Sequence, residues 1–239
     1  MKVALLGYGK MGKAIEVLID EAGKHQIVLK VDSSNFKNLN IKMLQKADVA
    51  IDFSRPDTAL NNLNLCFDAG LPVVVGTTGW YKNLEKVKQQ CSEKSGAFLY
   101  ASNFSVGVNL FFKINKLVNE LFAAYNNYDV FIEEIHHTKK LDAPSGTAIS
   151  LANDILTKHP TKKTWKNELN NAKEVLSIIS LREADVKGTH TVTWKSENDS
   201  LSIQHKAFNR KGFAKGAILA SEWLIGKTGC FTMNDVLKI

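Results

Sequence analysis

Apolar residues fall in short unbroken runs early in the chain and in alternating runs later, and the change divides it. Val3 to Leu6 is a continuous apolar run, the pattern of a strand buried on both faces of a parallel sheet. Met11, Ile15, Leu18 and Ile19 follow at helical spacing. Residues 27–32, 47–54, 71–79 and 97–103 predict further strands. A helix running through Ala69 and stopped by Gly70, and a polar helix over 82–94, separate some of them. Alternating strand and helix points to a doubly wound α/β sheet. After Asn103 the pattern shifts. A long helix is predicted over 106–125, with Leu110, Ile114, Leu117, Val118 and Leu121 as its apolar positions. Residues 129–137 alternate as a strand, 146–159 read as a second helix, and polar linker residues run to Asn171. Residues 174–184, 190–197 and 201–208 read as antiparallel strands, and Phe213 to Ile225 as a final helix. No repeat or low-complexity tract interrupts this order.

The first strand runs into Gly7, Gly9 and Gly12, spaced G-x-G-x-x-G, and a helix starts at once. That context gives the motif its meaning. Gly7 allows the tight turn, Gly9 lets backbone approach a pyrophosphate, and Gly12 lets helix and strand pack closely. Lys10 and Met11 lie within the same turn. The helix N-terminus offers free N–H groups to phosphates. The second strand ends in Asp32, about 20 residues on, where an acid binds the adenosine ribose. A carboxylate there repels a 2′-phosphate and favours NADH; Ser33 and Ser34 add no arginine clamp. Lys10 and Lys37 can offset the charge, so NADPH stays open. Gly76, Thr77 and Thr78 follow a strand C-terminus, where ligands bind in such sheets, and are expected at the nicotinamide end.

Composition narrows the reading by exclusion. The chain has 239 residues, enough for one large domain or two modest ones. The first residues carry a lysine and a short apolar run, but glycines interrupt it and no small-residue cleavage site follows, so a buried strand is expected rather than a leader. No apolar run reaches membrane-spanning length. Cys66, Cys91 and Cys230 are scattered and form no C-x-x-C pair, so reduced thiols and a cytoplasmic location are expected. A net charge of +7 raises nucleic acid as a partner. The lysines are spread rather than clustered with aromatics, and a solvated basic surface with some pull on anions accounts for them.

The span Ile132 to Ala148, IEEIHHTKKLDAPSGTA, concentrates the candidate chemistry. In a strand, His136 and His137 point to opposite faces, which disfavours one shared metal ion; no metal is expected. His136 and Lys140 stand at the strand's end and in the loop after it. Ser145, Gly146 and Thr147 form the N-terminus of the next helix, an anion site by its free N–H groups. A carboxylate substrate fits there, beside a histidine and a lysine able to move protons. A lone histidine is more often a packed core residue. Lys139, Lys140, Asp142 and the Ser-Gly-Thr turn weigh against that for His136.

The block HHTKKLDAPSGTA resembles the signature of the 4-hydroxy-tetrahydrodipicolinate reductase (dihydrodipicolinate reductase) family. Further blocks agree in order: GKMG in the first turn, DFSRP at 52–56, VVGTTGW at 74–80, ASNFSVGVN at 101–109, KGTHTV at 187–192 and RKGFAKGAILASEWL at 210–224. The resemblance implies reduction of 4-hydroxy-tetrahydrodipicolinate to tetrahydrodipicolinate by hydride from NADH or NADPH, in lysine biosynthesis via diaminopimelate. It implies an α/β fold: a Rossmann-like dinucleotide-binding domain, residues 1–103 and 209–239, plus an α+β substrate and tetramerisation domain with a mixed open sheet, residues 104–208.

By the same resemblance, His136 is the proton donor or acceptor and Lys140 the proton-donating lysine. His137, Gly146 and Thr147 contact the substrate's carboxylates. The glycine turn, Asp32, the loop at Gly76, Thr77 and Thr78, and the segment Ala101, Ser102, Asn103 and Phe104 contact the cofactor. The expected partners are a small dicarboxylate and further copies of the chain in a homotetramer, with no nucleic acid and no membrane. The first turn is one residue shorter than in many members, Lys10 stands where arginine is usual, and the chain is shorter than many relatives; these bear on cofactor preference. Two other readings remain open here. A related dehydrogenase, such as an aspartate dehydrogenase, would lack the Asp-Ala-Pro-Ser-Gly-Thr block. A non-enzymatic NAD-binding sensor would keep the glycines with no need of His136 and Lys140.

Overall fold

The computed structural model describes residues 1–209 and 211–239. In chain order the first elements are β1 (Lys2–Leu6), α1 (Lys10–Ala22), β2 (Gln26–Val31), α2 (Ile41–Leu44) and β3 (Val49–Asp52). Next come α3 (Pro56–Asp68), β4 (Val73–Val75), α4 (Leu84–Glu93), β5 (Ala97–Tyr100) and α5 (Val106–Phe122). They are followed by β6 (Asp129–His136), α6 (Gly146–Lys158), β7 (Thr164–Lys166), β8 (Val175–Arg182) and β9 (Thr189–Lys195). The last are β10 (Ser200–Lys206), α7 (Lys211–Leu224), β11 (Gly229–Phe231) and α8 (Met233–Leu237).

The chain divides into two compact units, Met1–Val106 with Lys211–Ile239, and Gly107–Arg210. In the first, six parallel strands lie in the order β11-β5-β4-β3-β1-β2. Helices pack on both faces, so strands such as β3 and β4 are buried at every position, which is why they read as unbroken apolar runs. Two backbone approaches depend on glycine. Gly7 has φ +98°, and a Cβ there would stand 2.2 Å from the Phe53 carbonyl oxygen. In α7 a Cβ at Gly216 would stand 1.7 Å from the Phe104 carbonyl oxygen.

The second unit is a five-stranded mixed sheet, β10-β9-β6-β8-β7. β6 runs antiparallel to β9 but parallel to β8, and β7 joins β8 in parallel. The sheet is mixed, as the resemblance implies; within it β8, read as one of three antiparallel strands, pairs in parallel with β6, because the return passes through α6 and a helical crossover brings the chain back in the parallel sense. The stretch read as polar linker contains β7, a short strand whose residues are mostly exposed and so carry no apolar signal. β11 and α8 were also not foreseen, being only 3 and 5 residues long.

α5 turns four of its five expected apolar positions outward, while Val118 packs against the core. Its buried positions include Phe111, Asn115 and Asn119, while Leu110, Ile114, Leu117 and Leu121 are exposed. Asn115 and Asn119 donate to the Leu151 and Ile155 carbonyl oxygens of α6, on the same face that packs Phe111 and Phe122 on the core. Among the described residues, no helix is long and apolar enough to cross a membrane.

Gly216→Ala is expected to lower stability by about 2–4 kcal/mol, because α7 must move off Phe104. Gly212→Ala, where the nearest atom to an added Cβ is 3.7 Å away, should be neutral or mildly stabilising. Denaturant unfolding of both variants measures this; equal midpoints would show that the contact yields freely.

Candidate active site

In the first unit the turn after β1 enters a cleft of about 320 Å3 lined by Gly7, Gly9, Asp32, Ser33, Phe36 and Arg55, among others. Gly9 caps α1 with no side-chain hydrogen bond, and a Cβ there would meet nothing within 4 Å. The helix start therefore faces open space, as a phosphate site requires. Lys10 is exposed, Met11 half-buried and Gly12 buried, with a Cβ at Gly12 only 2.6 Å from the Gly7 carbonyl oxygen. Asp32 Oδ1 accepts the Ser34 amide at 2.8 Å and the Ser34 hydroxyl at 2.6 Å. The Ser34 hydroxyl, then its amide, hold the carboxyl below its ordinary range, so it is an anion at neutral pH. These residues fit a dinucleotide whose ribose meets Asp32.

The remaining expected cofactor contacts divide into exposed and buried groups. Thr78 and Ser102 are exposed, and Ala101 and Asn103 are half-buried. Thr77 is buried and donates its hydroxyl to Asp52 Oδ1 at 2.6 Å, so its side chain serves the loop from within. Phe104 is buried against Phe53, edge to face at 5.7 Å. Gly76 lets its loop pass the Phe53 ring, 2.1 Å from where a Cβ would sit. Asp52 anchors this end of the sheet, also accepting from Asn62 and from the Ser54 amide and hydroxyl. Burial pushes its carboxyl up; those hydrogen bonds oppose the rise. Arg55, paired with Asp57 at 2.9 Å, stands in the Asp32 cleft and was not singled out by sequence.

In the second unit β6 alternates strictly, placing Val130, Ile132, Glu134 and His136 inward. His136, the last residue of β6, is buried, and His137, just past the strand's end, is half-buried. The β6 register sets Glu134 directly opposite Ser180 on β8 and His190 on β9, and His136 opposite Arg182. Glu134 is wholly buried. Its two oxygens accept the Ser145 amide at 3.0 and 3.1 Å, and Oε1 accepts the Ser180 hydroxyl at 2.7 Å. His136 Nδ1 lies 3.4 Å, His190 Nε2 3.6 Å and Arg182 Nη1 3.7 Å from its oxygens. Burial pushes this carboxyl up, but the His190 imidazole beside it and hydrogen bonds from Ser145 and Ser180 outweigh it and hold it at about 2. Burial, and then the neighbouring His190, push His136 down to about 4, so it is neutral at pH 7.

Ser145 caps α6 by accepting the Ala148 amide at 3.2 Å, and its hydroxyl lies 2.9 Å from His190 Nε2. With the Ser145 amide on Glu134, the Gly146 and Thr147 amides are left at the helix mouth. A Cβ on Gly146 would meet nothing within 4 Å. An anion can approach there. Lys140 holds both Asp142 oxygens, at 2.7 and 2.8 Å, and Arg182 binds the Asp142 carbonyl oxygen, tying the loop to β8. Glu134, His136 and His190 bring three possible ligand atoms within 4.8 Å of one another. The donor set argues against a resident cation: N–H and O–H donors already occupy the carboxylate, and a guanidinium stands beside it.

Sequence reasoning missed Glu134, His190, Ser180 and Arg182. Strict alternation along IEEIHH gave one usable signal, since it puts Glu134 on the buried parity with His136. The other three depend on strand register.

A parallel sheet with a glycine-turn cleft, together with a mixed sheet bearing imidazoles, an ammonium and an anion-ready helix start, defines a nicotinamide-nucleotide oxidoreductase. Sequence profiles of dihydrodipicolinate reductase match the chain, the N-terminal one over residues 1–104 and the C-terminal one over 107–237. It is 47% identical over 238 residues to the 4-hydroxy-tetrahydrodipicolinate reductase of Christiangramia forsetii, covering 100% of this chain and 98% of that protein. The enzyme of the same name from Clostridium novyi is 34% identical, covering 99% and 98%. The dipicolinate-bound dihydrodipicolinate reductase of Paenisporosarcina sp. TG-14 superposes with a TM-score of 0.79 at 25% identity, covering 97% of each chain. The chain belongs to the 4-hydroxy-tetrahydrodipicolinate reductase family.

Stability should fall in two acid steps. His136 resists protonation in the fold, so stability drains as pH falls from its ordinary 6.5 to about 4. Glu134 is held ionised, so its contribution is full above its ordinary 4.5 and lost as pH falls to about 2. Denaturant midpoints across pH 7 to 2 should show both steps, and Glu134→Gln should remove the lower one. An unchanged profile in the variant would sink the assignment.

Proposed function

We propose that the second unit's polar cluster carries the family's reaction in this chain, with the roles that follow. The reaction is the reduction of 4-hydroxy-tetrahydrodipicolinate to tetrahydrodipicolinate with NAD(P)H, in lysine biosynthesis via diaminopimelate. The observation that carries the site assignment is the meeting of His136 and the start of α6 on one buried carboxylate. The Gly146 and Thr147 amides, with His137, hold a substrate carboxylate, and Ser145 sets the turn that presents them. When bound, the reduced nicotinamide supplies a hydride. The 4-hydroxyl leaves as water together with a proton from the neighbouring ring carbon, which gives the conjugated ring that takes the hydride; Lys140 offsets the negative charge that the hydride leaves on that ring and donates the proton that quenches it. Asp142 holds its ammonium until substrate arrives. His136, neutral at rest, exchanges a proton at one ring nitrogen.

Gly7, Gly9, Lys10, Met11 and Gly12 would seat the pyrophosphate and Asp32 the ribose hydroxyls. The backbone of residues 76–78 and 101–104 would border the nicotinamide. NADH is at least as good a donor as NADPH on this reading, because the Asp32 carboxylate is ionised. Arg55, Lys10 and Lys37 are the cations able to moderate that. Three unpaired cysteines support a cytoplasmic site of action. The exposed apolar stripe of α5, and the sheet face bearing Phe131, Ile135, Ile179 and Leu181, support a homotetramer.

Lys140→Ala should lower kcat by about 10²–10⁴-fold with purified substrate and leave the fold intact; near-normal kcat would refute its role. Steady-state comparison of the two cofactors should give a KM for NADH no higher than for NADPH. Asp32→Ala should cut kcat/KM for NADH by about 10-fold and spare NADPH. A strong wild-type preference for NADPH would show that the nearby cations overrule Asp32.

A further inference from the structure

Glu134 is buried, charged and absent from every role assigned above. A carboxylate removed from water is retained only where its partners compensate it, and which partners it holds indicates what it does. It reaches two groups that the proposed reaction uses. One is the Ser145 amide, immediately ahead of the Gly146 and Thr147 amides. The other is His136, whose Nδ1 is buried with no partner in hydrogen-bond geometry and has Glu134 Oε2 3.4 Å away. His190 stands behind both. Its ring meets that of His136 edge to face at 5.0 Å, and its Nε2 lies 2.9 Å from the Ser145 hydroxyl. The groups facing His136 are thus Glu134 on its own strand, His190 on β9, Arg182 on β8 and Lys140 in the loop.

The arrangement has a definite consequence for the imidazole. A carboxylate facing Nδ1 favours the tautomer with its proton on Nδ1, and leaves Nε2 as the nitrogen with the lone pair. Nε2 lies on the side of Gly188, where a Cβ would come within 3.1 Å of it, so glycine keeps that side clear. The 3.4 Å separation is long for a hydrogen bond, and such contacts tighten when substrate binds.

We propose that Glu134 is a positioning residue of the reductase. Its carboxylate fixes His136 as the Nδ1–H tautomer with Nε2 poised for proton exchange, and through the Ser145 amide it fixes the helix start that receives the substrate's carboxylate. The proposal rests on the assignment of His136 as a proton-exchanging group. Neither half needs Glu134 to touch substrate.

Glu134→Gln separates the two halves. The glutamine oxygen can keep the Ser145 amide and the Ser180 hydroxyl, while its NH2 turns a donor toward His136 and selects the wrong tautomer. The expected result is a kcat lowered about 10–100-fold with KM changed less than about threefold, as for other groups that orient a reacting residue. The acid limb of the kcat–pH profile should move with it. Glu134→Ala, which also frees the Ser145 amide, should raise KM as well. Glu134→Gln/His136→Gln should be no slower than His136→Gln alone, since one residue acts through the other. Wild-type kcat and pH profile in Glu134→Gln, or multiplicative losses in the double variant, would overturn the proposal. His136→Gln with wild-type kcat would instead sink the underlying assignment of His136. A measurement on the unaltered enzyme guards against a variant that fails to fold. With 15N-labelled histidine, His136 should resonate as the Nδ1–H tautomer near neutral pH, and an Nε2–H signature would refute the proposal.

Discussion

Burying the Glu134 carboxylate is the constraint from which the second unit's chemistry follows. An anion away from water must gather donors or be neutralised. Glu134 gathers them from three strands and the first turn of α6. The register that opposes Glu134 to Ser180 and His190 is what makes the mixed sheet a site. A slip of one residue would send Glu134 and His136 to the other face, and with them the tie to α6. Parallel pairing with β8 and antiparallel pairing with β9 thus both serve one carboxylate, and a uniformly antiparallel meander would order the neighbours differently.

The first unit solves a similar problem in similar terms. Asp52 ends β3 wholly buried and accepts from Ser54, Asn62 and Thr77, so one carboxylate ties the start of α3, the body of α3 and the loop after β4. Loops at strand C-termini are where ligands bind in such sheets, and loops hold their shape only if something inside anchors them. In both units a loop or helix start at a strand end is held by a buried carboxylate behind it. The loop after β4 is anchored from within because the Thr77 hydroxyl faces Asp52. Gly146 and Thr147 offer amides because the Ser145 amide is already spent on Glu134.

Legibility from sequence follows this division. Strand, glycine turn, helix and terminal Asp32 are local features with local causes, and they stand where the pattern places them. His136, Lys140 and the turn at Ser145 lie within ten residues of one another, and their grouping is also legible. Ser180, Arg182 and His190 are distant in sequence and enter only through register, which composition and periodicity do not encode. The same limit explains the misread pairing of β8, since an eight-residue strand reads alike whichever way its neighbour runs. Thr77 and Phe104 show a subtler failure. Their positions in loops after strand C-termini are legible, but that both side chains face inward depends on Asp52 and Phe53, far away in the chain.

α5 turns this argument outward. Periodicity finds its apolar stripe, and the natural reading turns that stripe inward. Yet Asn115 and Asn119 are buried, donating to backbone carbonyls of α6, while Leu110, Ile114, Leu117 and Leu121 face out. Each asparagine also leaves its side-chain oxygen buried without a partner. Its inner face still packs Phe111, Phe112, Val118 and Phe122 on the core, so the leucines form a second apolar face. Burial of apolar surface is worth about 25 cal/mol per Å2, so four such side chains represent several kcal/mol not realised within this unit. A stripe of that kind is the ordinary mark of a surface completed by another protein surface. The amide pairs help fix which face of α5 turns outward, and so hold the leucines in one array.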